Sequence, residues 1–326
     1  MIDLAKYQSD QIVIVIDDKV SYNSPYPTLR LPVDEAHKSL ETVTRIWDFL
    51  LEHHITRRGV LVCIGGGVLT DMGGFAAATY KRGIDYINVP TTLLAMVDAS
   101  SGGKTGINYK GLKNCIGCFA PPKETIIDTQ WLKTLPTQEM LSGFGEMLKT
   151  GLVDEWVSGL VDERLWDRLL RYDLEKMDVA ELTPLIERCV AVKERIVQAD
   201  PREEGLRKVL NFGHTFGHAL EELSGMPHGY AVVYGLIAEL YLSVVKVGCP
   251  KEPLQQLTQI MLHYYGKPQC KCSERDQLIS LMQQDKKNER ADEINCTLIR
   301  DVGSPVINQV ITPEEANEAL EYLFSL

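Results

Sequence analysis

Two short apolar runs, each delivered straight into a turn, constrain this chain more than any other feature. Residues 11–16 read QIVIVI and end on Asp17 and Asp18. Residues 59–64 read GVLVCI and end on Gly65, Gly66 and Gly67, and past Asp71 comes an alanine-rich segment, MGGFAAATY. Apolar runs without alternation suit strands buried on both faces, the environment of a parallel sheet. The expected fold is therefore α/β. Glycines between a strand and a helix also let the backbone approach an anionic ligand at the helix N-terminus, the geometry that holds a pyrophosphate. The triplet is not the G-x-G-x-x-G of the dinucleotide fingerprint.

A length of 326 residues suggests two domains, and 44% hydrophobic with 24% charged residues is the balance of a chain with a full core. The formal net charge of −11 argues against a nucleic-acid partner, which would need a basic face. Small anionic substrates need only a local basic pocket. The first residues, MIDLAKYQSDQ, show no basic-then-apolar signal pattern, and no run of about 18 apolar residues is present. Residues 231–247 come nearest, but Glu239 and Lys246 make them read as a buried helix. Eight scattered cysteines fit a reducing cytoplasm. Cys115-x-x-Cys118 has redox or zinc spacing, yet Cys270 and Cys272 do not complete a second pair, so buried inert thiols are the better reading.

Along the chain, Leu40, Val43, Ile46, Trp47 and Leu50 recur at helical spacing, with Glu35 and Lys38 in the first turn as surface charges. A strand at 86–89 ends at Pro90, Thr91 and Thr92. Asp98 opens DASSGGKT, whose Lys104 and glycines suit an anion although the Walker A spacing fails at Asp98. Lys113 and Asn114 follow, and Ile126 with Ile127 marks a further strand. Helical patterns dominate beyond Pro136. Thr137 can cap a helix to about Val153, where Glu146 and Lys149 read as a surface ion pair. Lys193 lies in a helix over 182–199, and Lys286, Lys287 and Asn288 lie in a polar loop before a strand at 294–298. Thr312, Pro313 and Glu315 form a capping box.

The segment NFGHTFGHALEE at 211–222 carries the metal signal. His214 and His218 share one helix face, Asn211 stands where an N-cap would, and His228 follows in a turn. Histidines converging with a carboxylate make a divalent-metal site, while the same spacing also serves a helix that merely hydrogen-bonds its histidines.

Several motifs together resemble the 3-dehydroquinate synthase family of sugar-phosphate cyclases. They are GGGVLTDMGGFAAATYKRG, VPTTLLAMVDASSGGKTGIN, GLKNCIGCF, GEMLKTGL, EEGLRKVLNFGHTFGHALE and HGYAV, with a weaker match in DKKN. The resemblance implies an NAD-binding α/β domain over 1–135 and a mainly helical metal- and substrate-binding domain over 136–326, with the active site between them. It implies Glu146, His214 and His228 as ligands of zinc or cobalt, and His218 as a polar active-site residue. NAD contacts would be Asp17 or its neighbour, Glu35, Lys38, Gly65, Gly66, Gly67, Asp71, Thr91, Thr92, Asp98, Lys104, Lys113 and Thr134. Substrate contacts would be Arg82 (across a homodimer interface), Asp98, Lys104, Asn114, Lys149, Lys193, Arg207, Asn211, His218 and Lys286 or Lys287. The implied reaction takes 3-deoxy-arabino-heptulosonate 7-phosphate to 3-dehydroquinate through transient NAD reduction, phosphate elimination, return of the hydride and aldol closure. So many cations suit a substrate bearing both carboxylate and phosphate. The stretch between Asp18 and Asp34 is short for the family, and Tyr230 stands where relatives often have Glu. Alternatives are another sugar-phosphate cyclase, a metal-dependent polyol dehydrogenase, or a non-catalytic dinucleotide sensor.

Overall fold

The strand Ile12–Asp17 is buried at every residue but its last, as its uninterrupted apolar sequence requires. It is the second strand of a parallel sheet in a computed structural model that describes residues 4–7, 11–158, 163–268, 272–284, 288 and 293–326. The chain divides into two compact units, Met1–Leu135 and Pro136–Leu326.

The first unit runs β1 (Ile12–Asp17), β2 (Thr28–Leu31), α1 (Leu40–Glu52), β3 (Val60–Gly65), α2 (Gly67–Thr79), β4 (Asp85–Pro90), β5 (Lys104–Tyr109), β6 (Leu112–Phe119) and β7 (Glu124–Thr125). The sheet order is β2-β1-β3-β4-β7, every pair parallel. From β2 to β3 and from β3 to β4 the chain steps in one direction, so right-handed crossovers put α1 and α2 on the same face. There Val13, Val15, Leu61 and Cys63 pack against Val43, Ile46 and Leu50 of α1 and Leu69, Met72 and Ala76 of α2. From β1 to β2 it steps the other way, and Val20, Tyr22 and Tyr26 of that connection cover the opposite face, over Ile14, Ile16 and Ile64. The reversal makes a crevice beyond the carboxyl ends of β1 and β3, where open α/β sheets bind ligands.

Several local expectations change. The helix α2 begins at Gly67, four residues before Asp71, with Gly66 as its N-cap. Ser39 caps α1, so Glu35 lies in a separate 3-10 turn, Glu35–His37, and Lys38 is buried and not a surface charge. Ile126 and Ile127 follow the short strand β7 instead of forming one. The β5–β6 hairpin was not legible, because β6 has no buried residue and therefore no alternation to read. Cys115 on β6 is exposed and Cys118 is half-buried, against the expectation of buried thiols that Cys63, Cys189, Cys249 and Cys296 fulfil. Cys270 lies outside the described residues.

The second unit runs α3 (Thr137–Ser158), α4 (Leu165–Arg171), α5 (Val179–Ala199), α6 (His214–Ser224), α7 (His228–Val247), α8 (Lys251–Ile260), α9 (Arg275–Gln283), β8 (Ile294–Ile299), β9 (Pro305–Ile311) and α10 (Pro313–Ser325). Its centre is α7, packed by α3, α6, α8, α10 and β8. By length and composition α7 could cross a membrane, but two thirds of its apolar window is buried within the protein (67%), the mark of a core helix. The capping box stands as read. The Thr312 hydroxyl accepts from Glu315 N at 3.2 Å, and the Glu315 carboxylate accepts from Thr312 N at 2.8 Å.

The α2–β3 contact has no spare volume. A Cβ on Gly73 would stand 2.2 Å from the sulfur of the buried Cys63. Gly73→Val is expected to destabilise the first unit by about 1–3 kcal/mol through overpacking, read as a lower unfolding midpoint by circular dichroism.

Candidate metal centre and nucleotide edge

The candidate metal centre is assembled where three helices approach without intervening side chains. The backbones of α3 and α7 meet at Gly145 and Gly229. A Cβ on Gly145 would lie 2.4 Å from the carbonyl oxygen of Gly229, and one on Gly229 only 1.8 Å from that of Ser142. The Ser142 hydroxyl accepts from Gly229 N at 3.1 Å. Glu146 follows one of these glycines and His228 precedes the other, so the close approach sets their side chains face to face. On the other side of α7, a Cβ on Gly235 would lie 1.9 Å from the carbonyl oxygen of Gly213. Glu239, wholly buried, reaches from α7 to accept from Gly213 N at 2.7 Å and Thr215 N at 3.1 Å. This carboxylate meets the positive end of the α6 dipole and explains a glutamate inside an apolar helix. It also replaces the expected cap: Gly213, at φ +80°, is the N-cap, and Asn211 ends a preceding 3-10 helix, Leu206–Asn211.

The result is a convergence of three donor atoms. Oε1 of Glu146 lies 3.3 Å from Nε2 of His214 and 3.1 Å from Nε2 of His228. The ligand atoms of all three residues fall within 4.8 Å of one another. Both remaining imidazole nitrogens face acceptors: Nδ1 of His214 meets the Phe212 carbonyl oxygen at 3.1 Å, and Nδ1 of His228 meets Oε2 of Glu221 at 2.8 Å. With protons on Nδ1, two imidazole lone pairs and a carboxylate face one point, which a cation resolves. Burial opposes charge on His228, but hydrogen bonds to Glu146 and Glu221 outweigh it and raise its pKa to about 10. Burial, then the charge of Lys149, push His214 down to about 3. Burial would raise the Glu146 carboxyl, yet Lys149 and the imidazoles hold it well below the usual range.

Lys149 pairs with Glu146 one turn along α3, and both are buried, against the reading of a surface pair. The ring of His218, one turn beyond His214, lies 5.0 Å from it, edge to face. Lys193 on α5 and Arg207 are buried as well. Asp200 accepts from Gly205 N and Arg207 N, at 2.8 and 3.0 Å, and so folds the segment that presents Arg207. Asn211 donates to Glu203 at 2.7 Å, a partner the sequence did not single out. Lys286 and Lys287 lie outside the described residues, while Asn288 accepts from Asn295 N at 2.9 Å.

In the first unit, Asp17 ends β1 and Gly65 ends β3, on either side of the crevice. None of Gly65, Gly66 and Gly67 has a positive φ, so their smallness serves contact and not a left-handed turn. A Cβ on Gly67 would stand 2.9 Å from Cβ of Ala99, and one on Gly66 3.3 Å from Thr92. Thr91 N donates to the Gly65 carbonyl oxygen at 3.0 Å, and the Thr92 hydroxyl accepts from Ala95 N at 3.2 Å. No side chain caps the start of α2, which leaves its first amides facing outward for an anion. Lys38 binds Asp71 at 2.5 Å. Burial raises the Asp71 carboxyl, Lys38 counters it, and the charges of Asp98 and Glu35 add to the rise.

Asn108, also not anticipated, gathers this cluster. Its amide nitrogen donates to the Glu35 carboxylate at 2.7 Å, its backbone N to the Lys38 carbonyl oxygen at 2.9 Å, and its amide oxygen accepts from Asn114 N at 2.8 Å. Lys104, Lys113 and Asn114 are exposed on the hairpin, and Thr134 is exposed at the end of the 3-10 helix Thr129–Thr134. Arg82 stands apart. It is exposed beyond the far end of α2, about 18 Å of helix from Gly67, at φ +67°. An open cleft of about 500 Å³ near it, lined by Gly83, Asp85, Phe119 and Lys123, contains none of the candidate residues.

Comparison with known proteins settles the family. Residues 28–142 match the 3-dehydroquinate synthase N-terminal domain and residues 143–288 the C-terminal domain. The 3-dehydroquinate synthase of Parabacteroides distasonis is 44% identical over 301 residues, covering 91% of this chain and 83% of that protein. The chain belongs to the 3-dehydroquinate synthase family. That of Clostridium tetani is 36% identical, covering 88% and 76%. Among solved structures, a 2-epi-5-epi-valiolone synthase from Streptomyces hygroscopicus with NAD+ and Zn2+ bound superposes with a TM-score of 0.83 at 27% identity, covering 97% of this chain and 91% of that one.

Gly229→Ala tests the assembly of the centre. Its methyl would meet backbone, which cannot swing aside, so α7 must move off α3 and carry His228 away from Glu146. The expected outcome is a folded protein with a lower unfolding midpoint and loss of stoichiometric Zn2+ binding by calorimetry.

Proposed function

We propose that this chain is an enzyme converting 3-deoxy-arabino-heptulosonate 7-phosphate to 3-dehydroquinate and phosphate, a carbon–oxygen lyase step of aromatic amino-acid biosynthesis. The observation that carries the reading is the Glu146–His214–His228 convergence, in a chain 44% identical to a 3-dehydroquinate synthase. Two imidazoles and one carboxylate leave coordination positions for substrate and suit zinc or cobalt. A divalent cation held there would supply Lewis acidity toward a substrate hydroxyl, and NAD held on the first unit would accept one hydride and return it.

The residues divide the remaining work. The α2 amides and Gly65, Gly66 and Gly67 would receive the NAD pyrophosphate, with Asp17, Glu35, Lys38, Asp71, Thr91, Thr92, Asp98, Lys104, Lys113 and Thr134 around the rest of the dinucleotide. Lys149, Lys193, Arg207, Asn211 and His218 would bind and orient the anionic substrate, together with Arg82, Lys104, Asn114 and Lys286 or Lys287. Lys149, Lys193 and Arg207 are buried and so already held in place when charge develops, and their alignment would cost little reorganisation during reaction. Phosphate would leave by β-elimination across the C–H that is acidic at the ketone level, the hydride would then return, and ring opening with intramolecular aldol closure would give the product. Residues 1–135 would thus be the NAD-binding domain and 136–326 the metal- and substrate-binding domain, of a cytoplasmic enzyme without nucleic-acid or membrane partners.

A homodimer completes the proposal. The hairpin edge strand β6 exposes Leu112, Ile116 and Phe119, and Tyr109 of β5 is exposed beside it. Such an edge invites pairing with another chain. Light scattering at micromolar concentration is expected to return twice the chain mass, and a monomer would remove this part of the reading.

Activity is tested by phosphate release from the heptulosonate phosphate. Release is expected to require both NAD and metal, to stop on chelation and resume with Zn2+ or Co2+, and to proceed without net NADH. Net NADH would indicate a dehydrogenase instead, and release that survives exhaustive chelation would remove the metal from the reading.

A further inference from the structure

The two histidines of the centre are held in different ways. His214 leans on a backbone carbonyl two residues before it, a partner that folding of its own segment supplies. His228 leans on a side chain, Oε2 of Glu221, which reaches it from the last turn of α6 across the connection to α7. His228 is also the more accessible of the two, with 27% of its side chain exposed against 10% for His214. As the first residue of α7 it has no preceding helical turn against which its ring could rest. Something else must set that ring's rotation and choose which nitrogen faces Glu146.

The position of Glu221 makes a purely structural role a poor account. A carboxylate in the last turn of a helix faces the negative end of the dipole and destabilises that helix. Its side chain is only 18% exposed, so it also loses most of its hydration. Both costs are offset by the 2.8 Å contact to Nδ1 of His228. We propose that Glu221 is a positioning residue for the metal centre. By accepting from Nδ1–H it leaves Nε2 as the coordinating atom of His228, turns that atom toward Oε1 of Glu146, and makes the imidazole a stronger donor. The inference rests on the reading of Glu146, His214 and His228 as a metal site.

The test uses the full chain, stripped of metal and titrated with Co2+ by its visible bands and with Zn2+ against a chromophoric chelator. Glu221→Leu removes the acceptor and is expected to weaken binding by about 10–100-fold and to shift the Co2+ bands. Glu221→Gln keeps an acceptor oxygen in place and should recover most of the affinity, a rescue that bulk packing would not produce. Glu221→Asp, which withdraws the carboxylate by one methylene, serves if the leucine variant does not fold, and it too should bind more weakly than the parent. Parent-like affinity and spectrum in Glu221→Leu, or in Glu221→Asp where it stands in, would overturn the proposal. Glu146→Gln separates the two levels. If it abolishes binding while the Glu221 variants bind normally, only the positioning role falls. If it binds normally, the centre itself has been misread and the inference falls with it.

Discussion

The candidate site of the second unit depends on two helices touching backbone to backbone. Between α3 and α7 the contact residues are Gly145 and Gly229, and any side chain there would occupy the space of a carbonyl oxygen. Because nothing separates the helices, the residues beside the glycines are pressed together, and they are a carboxylate and an imidazole. A second bare contact, Gly213 against Gly235, draws α6 onto the same helix and delivers His214. The glycines contribute no chemistry. They set the distances at which the chemistry becomes possible.

Closeness of this kind creates an electrostatic problem that the surroundings resolve only in part. Glu146 and Lys149 are buried as a pair, which lowers the cost of either charge alone. The imidazoles then divide: burial and the charge of Lys149 disfavour the charged form of His214, while hydrogen bonds to Glu146 and Glu221 favour that of His228. A divalent cation would answer all three ligands at once. The same economy appears at Glu239, whose buried carboxylate is matched by the amides that start α6.

In the first unit the organising element is a direction of travel. A chain that steps one way from β1 and later the other way must leave a gap between β1 and β3 at their carboxyl ends. Asp17, Gly65 and the uncapped start of α2 line that gap as a consequence of topology. Asn108 then ties the Glu35–Lys38 turn to the hairpin bearing Asn114, so residues more than seventy positions apart form one cluster.

The α/β class, the buried strands β1 and β3 and the capping box of α10 could be read from the chain directly, because each depends on residues adjacent in sequence. The motifs around Gly65, Lys104, Glu146 and His214 carried the family resemblance in the same way. The pairing of His214 with His228 and not His218 could not be read from spacing, since it requires α7 to fold back along α6. Nor could the burial of Glu146, Lys149 and Lys38, whose charges look like surface features until a neighbouring element closes over them. Glu239, Glu221 and Asn108 gave no signal because each acts across a turn or between elements. The sequence by itself determined the buried strands, most of the helices and which donor atoms are available, because periodicity and residue type are local properties. Only the tertiary structure decided which donors meet and which charges lose their water, because both depend on how closely two distant backbones can approach.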